Sequence, residues 1–184
     1  MKLHKFLTLS GLLLACAEPQ TAMAADGIDC VTTDLSQDTM ADLGAAAITK
    51  YTKKQVMPVQ TSIDEFKHIL SACAEEWNWS DAATTAVSDY SLSYLATHFA
   101  YNSLQNTRRF PIDPFYTFVG QLNDAEIQKT LTTQKLGNQR QKAFTNLVST
   151  ALGKSATKAE KALFQSFLMA ELEKNLWEKR LKTL

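Results

Sequence analysis

Apolar residues recur along this chain at three- and four-residue intervals, the period of a helix with one buried face, and no stretch alternates as a half-buried strand would. In residues 34–50, Leu35, Met40, Leu43, Ala47 and Ile48 fall near that spacing, and residues 51–61, with Pro58, read as a connector. Ser62 and Glu65 match a capping box, in which each side chain bonds a free backbone amide of the other, and would open a helix carrying Ile63, Phe66, Ile69, Leu70 and Cys73. Trp77, Asn78 and Trp79 interrupt it, and Ser80 with Asp81 starts a helix running to about residue 106. Val87, Tyr90, Leu92, Tyr94, Leu95, Phe99 and Leu104 cover so much of its girth that it is expected to be central and mostly buried.

The second half is punctuated in the same way. Asp113 reads as an N-cap with Pro114 at the first helical position, and Asn123 or Asp124 caps a helix holding Ile127 and Leu131, with Gly137 as a left-handed stop. Residues 138–152 present Phe144, Leu147, Val148, Ala151 and Leu152, ending at Gly153. Thr157 and Glu160 form a second capping box. They open a long C-terminal amphipathic helix on which Phe164, Leu168, Leu172 and Leu176 make one row and Trp177, Leu181 and Leu184 carry the stripe round the axis. The expected architecture is all-α, one compact domain of six or seven helices, without repeats or low-complexity segments.

The first residues follow another logic. Lys2 and Lys5 precede an apolar run of about a dozen residues, Pro19 breaks it, and Ala22 and Ala24 supply the small residues of a cleavage site, so residues 1–24 read as a signal peptide. That run is well short of the roughly 20 residues needed to span a bilayer, and no later stretch reaches that length. The alternative is a lipoprotein anchored through Cys16, with Leu14 where a smaller residue is usual. Residues 25–34 are then an N-terminal segment and residues 35–184 the helical domain, long enough to build its own core.

Composition narrows the functional classes. The mature chain is close to neutral and its basic residues are scattered, which argues against a nucleic-acid partner. With Cys16 in the leader, Cys30 and Cys73 remain as a pair, and in an oxidising compartment such a pair is expected to be joined. The bond would tether residues 25–34 to the domain and contribute about 4 kcal/mol on the chain-entropy estimate. Neither CxxC spacing nor an obvious neighbouring ligand points to a metal, and no cofactor motif stands out. Gly153, Lys154 and Ser155 end like a phosphate loop, but Val148 occupies the required glycine position and a helix precedes it.

No residue is named as catalytic. His68 and His98 are the histidines of the mature chain and are expected to be buried or half-buried structural groups. His98, near Tyr90, Tyr94 and Tyr101, is the better candidate for a polar pocket. Glu75 and Glu76, beside Trp77 and Trp79, evoke a glycan-cleaving acid, but adjacent helical positions point apart. The densest unusual stretch holds Arg108, Arg109, Phe110, Phe115 and Tyr116 with Pro111 and Pro114, and arginine and aromatic residues on a stiff loop suit a binding surface. The functional expectation is an exported helical protein that binds an envelope protein or a small apolar ligand; the alternative is an enzyme acting on envelope glycan.

Overall fold

The computed structural model describes residues 27–52, 55–107, 112–153 and 155–184 of the chain. Among the described residues the helices are α1 (Cys30–Asp34), α2 (Gln37–Ile48), α3 (Gln60–Glu76), α4 (Asp81–Thr107), α5 (Ile112–Gly120), α6 (Asp124–Thr133), α7 (Asn138–Leu152) and α8 (Lys158–Leu181). A 3-10 turn, Thr49–Tyr51, follows α2, and the described residues include no strand. The helix beyond the seven expected is α1, a five-residue turn inside the segment read as a tether.

Local signals set several helix ends as expected. Thr157 and Glu160 form their capping box, as do Asn123 and Glu126, and the Ser80 hydroxyl accepts the Ala83 N–H at 3.2 Å. The Ser62–Glu65 box is not formed. Its helix already begins at Gln60, so Ser62 lies buried inside the first turn. The Glu65 carboxylate turns instead to the start of α2, where it accepts from Ser36 N–H at 2.7 Å, from the Ser36 hydroxyl at 3.0 Å and from the Thr39 hydroxyl at 2.5 Å. A helix N-terminus offers free amides and a positive dipole end, so a carboxylate from a neighbouring helix can cap it. The bonds from Thr39 and Ser36 hold the Glu65 carboxyl below its ordinary range. Two other ends also differ. Gly137 is the extended N-cap of α7, the left-handed residue closing α6 being Gln134 at φ 54°, and Asp113 and Pro114 lie inside the first turn of α5, which starts at Ile112.

The expected stripe of α8 is buried at Phe164, Leu168 and Leu172, and burial spreads round the helix so that residues 166–172 are buried without a break. Helices α4 and α8 run antiparallel. Tyr101 packs on Phe167 near one end, and Ala82 and Ala86 share a depression with Trp177 and Leu184 near the other. A ring cluster fills the space beside them. Phe115 stacks on Phe167 with centroids 4.2 Å apart and meets Phe164 edge-on, while Phe144 packs on Phe118 and Phe164. Glu171 is a charge inside this girdle, and its carboxylate is held by the Lys174 ammonium at 2.8 Å.

On the other side, α2 approaches α4 at Gly44. A β-carbon there would sit 2.7 Å from the Leu95 carbonyl oxygen and 2.9 Å from Phe99 Cβ, so the absence of a side chain is what lets the two backbones meet. The N-terminal segment is fastened to α3. Cys30 and Cys73 are joined with their Cα atoms 6.1 Å apart, Val31 is fully buried, and Gly27 lies on the Trp77 ring. No helix among the described residues is long and apolar enough to cross a membrane.

Gly44→Ala tests the close approach. Helix propensity alone favours alanine by about 1 kcal/mol, but the steric clash costs roughly 1–3 kcal/mol. Calorimetry should show Tm falling by several degrees, whereas Gly120→Ala, with no atom within 4 Å of the new methyl, should leave it unchanged or raise it.

Candidate functional site

The Thr49–Tyr51 turn is the point from which the most unusual surface of the molecule is organised. The turn that follows α2 delivers Lys50 and Tyr51 to one carboxylate of α8: the Lys50 ammonium donates to Glu173 Oε1 at 2.6 Å and the Tyr51 hydroxyl donates to Glu173 Oε2. Together with Asp89, Leu92 and Ser93 of α4 they line a cleft of about 110 Å³ between the turn, α4 and α8, room for about three or four waters. Burial, then the neighbouring Glu173 charge and hydrogen bond, push the Tyr51 hydroxyl far above its ordinary range, with a hydrogen bond involving Ser93 opposing the shift. Tyr51 is therefore a fixed donor at physiological pH. The Asp89 carboxyl is also raised, first by burial and then by Glu173, against the opposing pull of Lys50 and Arg180.

This polar cluster fastens the turn, and the turn holds a connector. The Thr49 hydroxyl accepts the Val56 N–H at 3.0 Å, and the Asp42 carboxylate accepts the Val59 N–H at 2.8 Å. The chain between these two bonds has no regular secondary structure, and Val59, which precedes α3, is extended at φ −70° and ψ 151°. Its apolar side chains face solvent: Met57 is 78% exposed, Val56 46% and Val59 56%. Few large apolar residues are exposed elsewhere among the described residues, Tyr116 and Leu184 being two, whereas Val56, Met57 and Val59 fall within four consecutive positions.

Those of the residues proposed from sequence that are described do not converge on one site. Arg108, Arg109 and Phe110, with Pro111, lie outside the described residues. Phe115 is fully buried in the ring cluster, stacked on Phe167, so it is a core residue and not part of a binding surface; its neighbour Tyr116 is 44% exposed. Successive positions on a helix point about 100° apart, which sends one ring inward and the next outward. His98 is exposed on α4 and His68 is exposed on α3; neither is the buried structural group expected. The Tyr94 ring stacks near His98 at 6.2 Å, whereas Tyr101 turns away to Phe167. Glu75 and Glu76 are exposed. Cys30, Cys73 and Asp34 bring ligand atoms within 4.8 Å of one another, a proximity the spacing did not reveal; the two sulfurs are bonded to each other and are not thiolates. The leader and Cys16 also lie outside the described residues.

Sequence reasoning did not find Lys50, Tyr51, Asp89 and Glu173. Glu173 lies 122 and 123 positions from its two partners, beyond any local pattern. Comparison with protein-family models, with curated protein sequences and with solved structures gives no match to this chain.

The Asp89 charge is disfavoured in the folded chain, so it costs stability above the raised folded pKa, and acidification through that value toward the ordinary carboxylate range relieves the cost. Asp89→Asn should therefore be more stable than the native chain at pH 7, with the gap closing as pH falls. A lower Tm for the variant at pH 7 would mean that Lys50 and Arg180 make the charge favourable.

Proposed function

We propose that the chain is an exported helical protein that works by binding another exported or envelope protein through the connector at residues 55–59. The observation that carries this reading is the exposed run of Val56, Met57 and Val59 on a backbone fixed at both ends. Contiguous apolar surface held in one conformation is costly to leave in water, and a partner that covers it has little chain entropy to remove. Export rests on the N-terminal leader pattern, and a joined Cys30–Cys73 pair is consistent with an oxidising compartment.

A small apolar ligand between the helices is less favoured, since the chain's own rings fill the space beside α8. The enzyme alternative draws on the polar cleft, where a tyrosine, two carboxylates and a lysine converge. Its volume of about 110 Å³ suits water or a small ion better than a glycan.

The exported protein should have the mass of residues 25–184 with one disulfide. A photo-crosslinking residue placed at Met57 should give one discrete adduct with a partner protein in the native envelope fraction, and the same residue at exposed Lys142 should not. Adding Val59→Asp should weaken capture tenfold or more, about 1.4 kcal/mol or above, at unchanged Tm. Absence of an adduct at position 57, or a yield equal to that at 142, contradicts the reading.

A further inference from the structure

A second groove lies apart from the connector, between the first turns of α2 and the last turns of α4, with a volume of about 400 Å³. Its polar lining consists of Gln37, His98, Asn102, Ser103 and Asn106, and its apolar lining includes Met40 and Phe99. None of the lining side chains carries a fixed charge, although one residue in five of the whole chain is charged. A charged ligand would find no counter-charge in this lining and would lose hydration without compensation. Carboxamides combine donor and acceptor capacity, and they complement groups that do the same.

The polar groups are also ordered along the helix. His98, Asn102 and Asn106 stand four residues apart on one face of α4, about 6 Å from one to the next. Asn102 Nδ2 lies 3.2 Å from His98 Nδ1 and 3.5 Å from its Nε2, so the amide and the ring stand edge to edge on this face. The Tyr94 ring lies nearly parallel to the imidazole, at 12°. Phe99 and Met40 offer apolar surface between these groups, suited to the C–H face of a sugar ring.

We infer that this groove is a binding site for a neutral saccharide, with Gln37, His98, Asn102 and Asn106 bonding ring hydroxyls over Phe99. The site is independent of the connector, so either can fail without the other.

The test is an NMR titration of the mature chain, labelled with ¹⁵N, with two neutral probes, maltotriose and N,N′,N″-triacetylchitotriose. At least one should shift the side-chain amide resonances of Gln37, Asn102 and Asn106, leaving those of Gln128 and Gln139 in place. Asn102→Ala and Gln37→Ala should each weaken binding about five- to tenfold, the effect of losing one hydrogen bond to a neutral partner, and the double variant further. Both positions are exposed, so the variants should keep the native Tm. The inference is overturned if neither saccharide moves these resonances at millimolar concentration, or if binding survives the double variant. It is also overturned if a neutral Gly-Ser peptide moves them and the saccharides do not.

Discussion

The structure depends on the antiparallel contact between α4 and α8. Residues 166–172 are buried on every side, which is possible only if other helices close round them, and the rest of the fold is that closure. Phe115, Phe144, Phe164 and Phe167 fill one side, and α2 seals another by bringing Gly44 against the Leu95 carbonyl. Close packing of this kind leaves little freedom for a volume change. It also explains why Glu171 brings its own partner: a carboxylate in that girdle would otherwise face apolar surface, and Lys174, one turn on, supplies the charge.

Where α8 emerges from the girdle, Glu173 converts this rigidity into a surface. It is two residues beyond the buried Glu171 and reaches outward to Lys50 and Tyr51. Those two residues fix the Thr49–Tyr51 turn, Thr49 fixes Val56, and Asp42 of α2 fixes Val59. An apolar connector with free ends would cost ordering entropy on binding. Here that cost is met when the domain folds: the Val56 amide is held by the turn that Glu173 of α8 fastens and the Val59 amide by Asp42 of α2, and the exposed side chains of Val56, Met57 and Val59 lie on that backbone. The disulfide plays no part in this path; it fastens the opposite end of α3 to the N-terminal segment.

Features determined within one or two helical turns were legible in the sequence. Thr157 with Glu160 could be read because both partners sit at one helix start, and the apolar periods gave seven of the helices with their core faces. The same letters misled at Ser62 and Glu65: a helix beginning at Gln60 leaves no free amide where the box requires one, and the start of α2 competes for the carboxylate. The Cys30–Cys73 pair was legible because few cysteines remained to choose among. The polar cleft was not, since Glu173 meets Lys50 and Tyr51 only through tertiary packing. The connector left a local trace that passed as punctuation: Val56, Met57 and Val59 are apolar without a helical period. Phe115 and Tyr116 read alike as letters, and only the orientation of α5 separates a core ring from an exposed one.

The central claim is that the connector is held, and backbone amide exchange measures this directly. The Val56 and Val59 N–H groups donate to Thr49 Oγ1 and Asp42 Oδ2, and Pro58 has no N–H, so a short exposed stretch should show a pattern specific to the hydrogen bonds. In the native chain Val56 and Val59 should exchange well below the rate of an unstructured peptide, with Met57 close to that rate, and Tyr51→Phe should accelerate Val56 by loosening the turn. Equal exchange of Val56, Met57 and Val59 at the unstructured rate would contradict the account, because the apolar side chains would then belong to a loose loop and not to a displayed surface.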